Sequence, residues 1–250
     1  MYCATCGNPD MPGHVCASRR QATATPPGRW LQFCLAVGAG VAALAVLADV
    51  DQAALLGSLA VDPAEVSIGH LEASDARTSI VHMLALPVLV VTAVSWLVWF
   101  RKLYGGLSRR GASPLRHAKG WALGSWFVPF ANLVVPKQMM DDAWRATGSM
   151  PAGAPVPTLL AWWWAGFLVS GFVAHFAGEI SGSAVTLSEL RGATAGLLLS
   201  DVLDLFAAVA ALVLVGRLSA RYQAWSAPAA PALVGAGHRG LVGSSARASG

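Results

Sequence analysis

Four long apolar stretches, 30–47, 79–100, 157–178 and 194–216, contain no Lys or Arg. Each approaches or exceeds the roughly 18 residues that mark a bilayer-crossing helix. One such run can be a buried core helix, but four in a chain of 250 residues indicate a polytopic membrane protein. Only 12% of the residues are charged, about half the share in soluble domains. The sequence therefore predicts an all-α membrane protein with four transmembrane helices, at 30–49, 79–100, 157–178 and 194–216. No cleavable signal peptide is expected, because residues 1–29 are polar and lack an apolar core.

Charges beside the spans orient them. Segment 1–29 carries Arg19, Arg20 and Arg29 against Asp10, and 101–119 carries Arg101, Lys102, Arg109, Arg110, Arg116 and Lys119 with no acid. Segment 50–78 is acidic, with Asp51, Asp62, Glu65, Glu72 and Asp75 against Arg77. The excess of Lys and Arg places 1–29 and 101–119 in the cytoplasm and 50–78 outside.

The stretch WFVPFANLVVP, 126–136, decides the rest of the topology. If 120–136 crossed, Arg217, Arg221, Arg239 and Arg247 near the C-terminus would lie outside, against the charge rule. Pro129 also lacks an amide and frees the carbonyl of Ser125, which lipid cannot satisfy. Asn132 is the expected helper. The sequence thus predicts a Pro-broken, non-spanning segment at 120–136 and both termini in the cytoplasm. A Pro-kinked fifth span is the alternative.

On this topology all ten Trp residues fall in the cytoplasmic half. Tryptophan prefers membrane interfaces, and a one-sided belt implies a thick, protein-rich interfacial layer there. The run 137–147 places Met140, Ala143, Trp144 and Thr147 at helical spacing, apart from Lys137, Asp141, Asp142 and Arg145, as in an interfacial amphipathic helix. The tail 226–250, rich in Ala, Gly, Ser and Pro, is expected to be disordered.

The ordered pattern of Trp126, Pro129, Asn132 and Pro136, a short amphipathic helix ending in Trp144, a Pro-rich linker and the Trp-rich start of a helix at 162–164 resembles domain-of-unknown-function family 4328. These are polytopic membrane proteins, mainly actinobacterial, and many carry an N-terminal cysteine knuckle. The resemblance covers residues 30–225. It implies a plasma-membrane architecture and carries no activity and no functional residue.

The N-terminus has Cys3-x-x-Cys6-Gly7 and then Cys16, which resembles half of a zinc ribbon. Arg19 stands where a fourth cysteine belongs, and His14 offers a substitute nitrogen. The pattern is open to three readings: a single structural zinc, a metal-free remnant, or redox chemistry. Cys34 reads as a small apolar packing residue.

Within the spans, Gly166, Ser170, Ala174 and Gly178, and likewise Gly196, Ser200, Asp204 and Ala208, recur every four residues, as in close helix–helix packing. Asp204 lies near mid-bilayer and Asp201 three residues before it. His175, Glu179 and His82 are the other ionisable groups of the outer half. A carboxyl at that depth costs about 2.5–3.5 kcal/mol on insertion scales and marks either a fixed structural partner or a function. Asp204 is expected to turn toward the third span, with Ser170 or Ser200 as its partner.

No metalloprotease, nucleophile-elbow, phosphate-loop or dinucleotide fingerprint occurs, so no enzyme is expected. The basic 101–119 loop is explained by topology and anionic lipid rather than nucleic acid. Two functions follow. One is a membrane scaffold or regulator presenting cytoplasmic surfaces to protein partners. The other is a small channel or proton-coupled transporter using the outer-half Asp and His residues, which with four spans would require a homo-oligomer.

Overall fold

A computed structural model describes residues 28–64 and 66–227. Six helices follow in order: α1 (Arg29–Val61), α2 (Ile68–Arg109), α3 (Trp121–Gly124), α4 (Ala131–Thr147), α5 (Thr158–Ser183) and α6 (Leu187–Ser226). The described residues contain no strand. Helices α1, α2, α5 and α6 are long and apolar enough to cross a membrane. The knuckle residues Cys3, Cys6, His14 and Cys16, and the tail from 228 onward, lie outside the described residues.

The helices outrun the apolar windows. With 33, 42 and 40 residues, α1, α2 and α6 reach about 50, 63 and 60 Å at ~1.5 Å per residue, against a hydrocarbon core of about 30 Å. Segment 50–78, which the charges mark as extramembrane, and residues 179–193 between the last two apolar stretches are mostly helix. Charge does not stop a helix, but Pro63 does: it pushes Asp62 to extended backbone (φ −141°, ψ 98°). The next helices then start on side-chain caps. Ser67 accepts from the His70 amide, and Thr186 with Glu189 forms a reciprocal capping box. The amides of Val185 and Thr186 and the Thr186 hydroxyl hold the exposed Glu189 carboxyl below its ordinary range.

Helix α1 packs along both α2 and α6, and α6 packs along α5. Gly196 lets α6 close on α5, since a Cβ there would come 2.8 Å from that of Ala177. Gly166 admits Phe206 in the same way. The main core lies at one end of the bundle. It joins Leu31 and Leu35 of α1, Phe100 to Leu107 of α2, Met139 and Met140 of α4, Trp163 and Trp164 of α5, and Leu214 to Tyr222 of α6. The beginning of α1, the end of α2, the beginning of α5 and the end of α6 therefore share one end, and the connection 110–157 leaves and re-enters the bundle there.

Five tryptophans bind this end together. Trp96 lies 5.5 Å from Trp99, 6.3 Å from Trp126 and 5.2 Å from Trp163, ring centroid to centroid, and Trp126 lies 6.0 Å from Trp164. The chain between α3 and α4 turns sharply at Phe130 (φ +62°), directly after Pro129. No continuous helix covers 120–136. Asn132 itself carries a buried Oδ1 without a hydrogen-bond partner. The indole of Trp164 donates to the Leu133 carbonyl in the first turn of α4, at 2.9 Å.

Helix α4 departs from the interfacial picture. Asp141 and Asp142 are buried together with Met139 and Met140, so both faces are covered by protein. Asp142 accepts from the Arg116 amide and guanidinium at 3.0 and 2.9 Å, and Asp141 pairs with Lys137. Trp144 lies under the Arg221 guanidinium, 4.4 Å from ring centroid to Cζ. The 110–119 loop closes over α4 and turns its acidic residues inward.

Candidate functional site

Away from the tryptophan end, one interior region of the bundle turns polar. Asp49 of α1, His82 of α2 and Asp201 of α6 each bring one ligand-type atom to within 4.8 Å of the others. His82 Nε2 lies 3.9 Å from Asp201 Oδ2. Asp49 is 1% exposed. Its Oδ2 and that of Asp201 are buried without a hydrogen-bond partner. The His82 side chain is 41% exposed and that of Asp201 18%, so Asp49 is the enclosed member of the cluster and His82 the one at the outer surface of the bundle.

Helix geometry brings these groups level. Asp49 stands about 18 Å before the end of α1, and His82 and Asp201 each stand about 21 Å beyond the start of their helices, at ~1.5 Å per residue. Four-residue steps on α2 align Ser74, Thr78 and His82 on one face. Ser74 is buried and donates to Gln52 of α1, which in turn donates to Asp75 at 3.1 Å. The Thr78 hydroxyl is buried without a partner. A line of polar side chains thus follows the α1–α2 seam from the helix ends down to the cluster.

Two carboxyls and an imidazole in this setting form an oxygen, oxygen, nitrogen donor set for a cation. A buried carboxylate needs compensation, and the spans supply no Lys or Arg. The nearby Arg77 is held by Asp51.

The residues singled out from the sequence part company here. His82 and Asp201 meet, whereas His175 and Glu179 are exposed on α5, with the His175 ring 5.6 Å from that of Phe176. Asp204 is exposed on α6 yet lies in hydrogen-bonding contact with Ser170 of α5, one of the two partners named for it. Ser200 donates to the Ser170 carbonyl at 3.1 Å and so ties α6 to α5. Trp126, Pro129, Asn132, Pro136 and Trp144 belong to the opposite end and build its core and turn.

Asp49 is absent from the sequence reading, which placed it at the edge of the first span. The signal was the run 41–61, which has no proline and returns to Ala and Leu after Asp51 and Gln52. That pattern continues a helix past the charges instead of ending a span at them.

No curated protein and no solved structure matches the chain. A family model described as "Domain of unknown function (DUF4328)" matches residues 62–220, from the turn before α2 to the last turns of α6. Helix α1, which supplies Asp49, precedes the matched residues. With well over half its length matched, the chain belongs to this family of domains of unknown function.

Proposed function

We propose that this integral membrane protein handles cations, as a small channel- or transporter-like bundle, at Asp49, His82 and Asp201. One observation carries the reading. A carboxyl that is 1% exposed meets an imidazole and a second carboxyl from two other helices, in spans without a resident cation. Packing does not require such an arrangement, and unpaired groups of this kind are costly inside a membrane. The polar seam past Thr78 and Ser74 supports access from the end opposite the tryptophans. The charge pattern assigns that end to the outside of the plasma membrane and both termini to the cytoplasm. The openings at His82 and Asp204 favour assembly of several copies, since four spans enclose little by themselves.

Proteoliposomes holding purified full-length protein should dissipate an imposed pH or alkali-cation gradient, and Asp49→Asn should abolish this while eluting as folded protein. Intact gradients with the unaltered chain would contradict the reading. The second reading, a membrane scaffold presenting a cytoplasmic surface, would then be preferred. It is favoured by the rigid tryptophan end, where Arg116 and Asp142 lock α4 to the bundle.

A further inference from the structure

We infer that Asp49, His82 and Asp201 form a loading site for a first-row divalent transition cation of the Zn²⁺ type. This rests on the cation-handling reading and names its substrate class. Three independent features point to it.

The first is spacing. Donors that each lie about 2.1 Å from one tetrahedral ion are about 3.4 Å apart. The pair His82 Nε2 and Asp201 Oδ2 stands at 3.9 Å. All three ligand-type atoms lie within 4.8 Å of one another. The widest separation therefore needs to close by at most about 1.4 Å, a shift that rotation about the soft terminal torsions of Asp and His supplies.

The second is charge. Two carboxylates and a neutral imidazole carry two negative charges, and a divalent ion cancels them. A single monovalent ion leaves one uncompensated charge in a low-dielectric region.

The third is donor type. Mg²⁺ and Ca²⁺ call for about six to eight oxygen ligands, whereas one imidazole nitrogen with two carboxylates suits Zn²⁺, Mn²⁺ or Fe²⁺. Three protein ligands leave a coordination position for water or a further group. The polar seam past Thr78 and Ser74 leads from that position toward the helix ends, which gives the ion a route for exchange. Asp49, 1% exposed with an unpartnered Oδ2, is the fixed wall of the site.

The test uses full-length protein in lipid nanodiscs with the N-terminal donors removed (Cys3→Ser, Cys6→Ser, Cys16→Ser, His14→Ala), so that any zinc counted belongs to the bundle. Equilibrium dialysis should find one Zn²⁺ per chain. Asp49→Asn, His82→Gln and Asp201→Asn should each weaken it by at least about tenfold, and Glu179→Gln should not. Co²⁺ in the same protein should give d–d absorption without thiolate charge transfer. The half-exposed His82 makes His82→Gln the variant least able to act through misfolding. No Zn²⁺ in the donor-stripped protein, or binding untouched by Asp49→Asn and His82→Gln, would overturn the inference. If gradient dissipation is still lost in Asp49→Asn when no Zn²⁺ binds, only the metal assignment falls. If neither binding nor dissipation occurs, the cation reading falls with it.

Discussion

Asp142 and Asp49 are equally buried carboxyls, each 1% exposed, with opposite surroundings. Asp142 has Arg116 on both oxygens, with Arg145 3.8 Å away. Asp49 meets a second carboxyl and an imidazole. The first is therefore a structural clamp, and the second calls for an ion from outside the chain. Arg116→Ala should remove the charged hydrogen bonds while leaving Asp142 buried near Arg145, costing about 1–3 kcal/mol. Thermal unfolding in detergent measures this, and an unchanged midpoint would show that the 110–119 loop does not hold α4. Neither aspartate was legible from its own neighbourhood. Asp142 sits on the polar side of an amphipathic pattern, and its partner comes from a loop more than twenty residues earlier. Asp49 resembles the edge of a span until the helix is seen to continue to Val61.

At the scale of elements, hydropathy identified each of the four described helices that are long and apolar enough to cross a membrane, because an apolar run without cations has few alternatives there. Helix ends were harder, since extramembrane turns with no Pro simply continue the helix. The small-residue stripes on α5 and α6 do mark their shared face, but unevenly. Gly196 is pressed against Ala177, whereas a Cβ at Gly178 meets nothing within 4 Å. Gly196→Ala should therefore weaken the α5–α6 pair by about 1–3 kcal/mol through overpacking, and Gly178→Ala should be close to neutral. Reversible unfolding in mixed micelles separates them, and equal effects would mean that the stripe acts through helix propensity instead of contact.

Across the whole molecule, the two ends differ in kind. One is a tryptophan-lined core that gathers α3, α4 and parts of all four long helices. The other is a polar seam leading to three converging side chains. The turn at Phe130, directly after Pro129, falls within the apolar run that two prolines interrupt, and the charge pattern carries the expectation that this run does not cross. The partnership of α1 with α2 and α6, which assembles the site, was not visible, because helix adjacency depends on packing that no single helix encodes.

The site's position depends on 110–157 returning to the end it left. The most direct measurement is labelling of single cysteines in intact cells by an impermeant reagent, on a background lacking Cys3, Cys6, Cys16 and Cys34. Ala64→Cys and Val185→Cys should label from outside, whereas Ala118→Cys and Ala152→Cys should label only after permeabilisation. External labelling of Ala152→Cys with Ala118→Cys protected would mean that 120–136 crosses the membrane and would contradict this architecture.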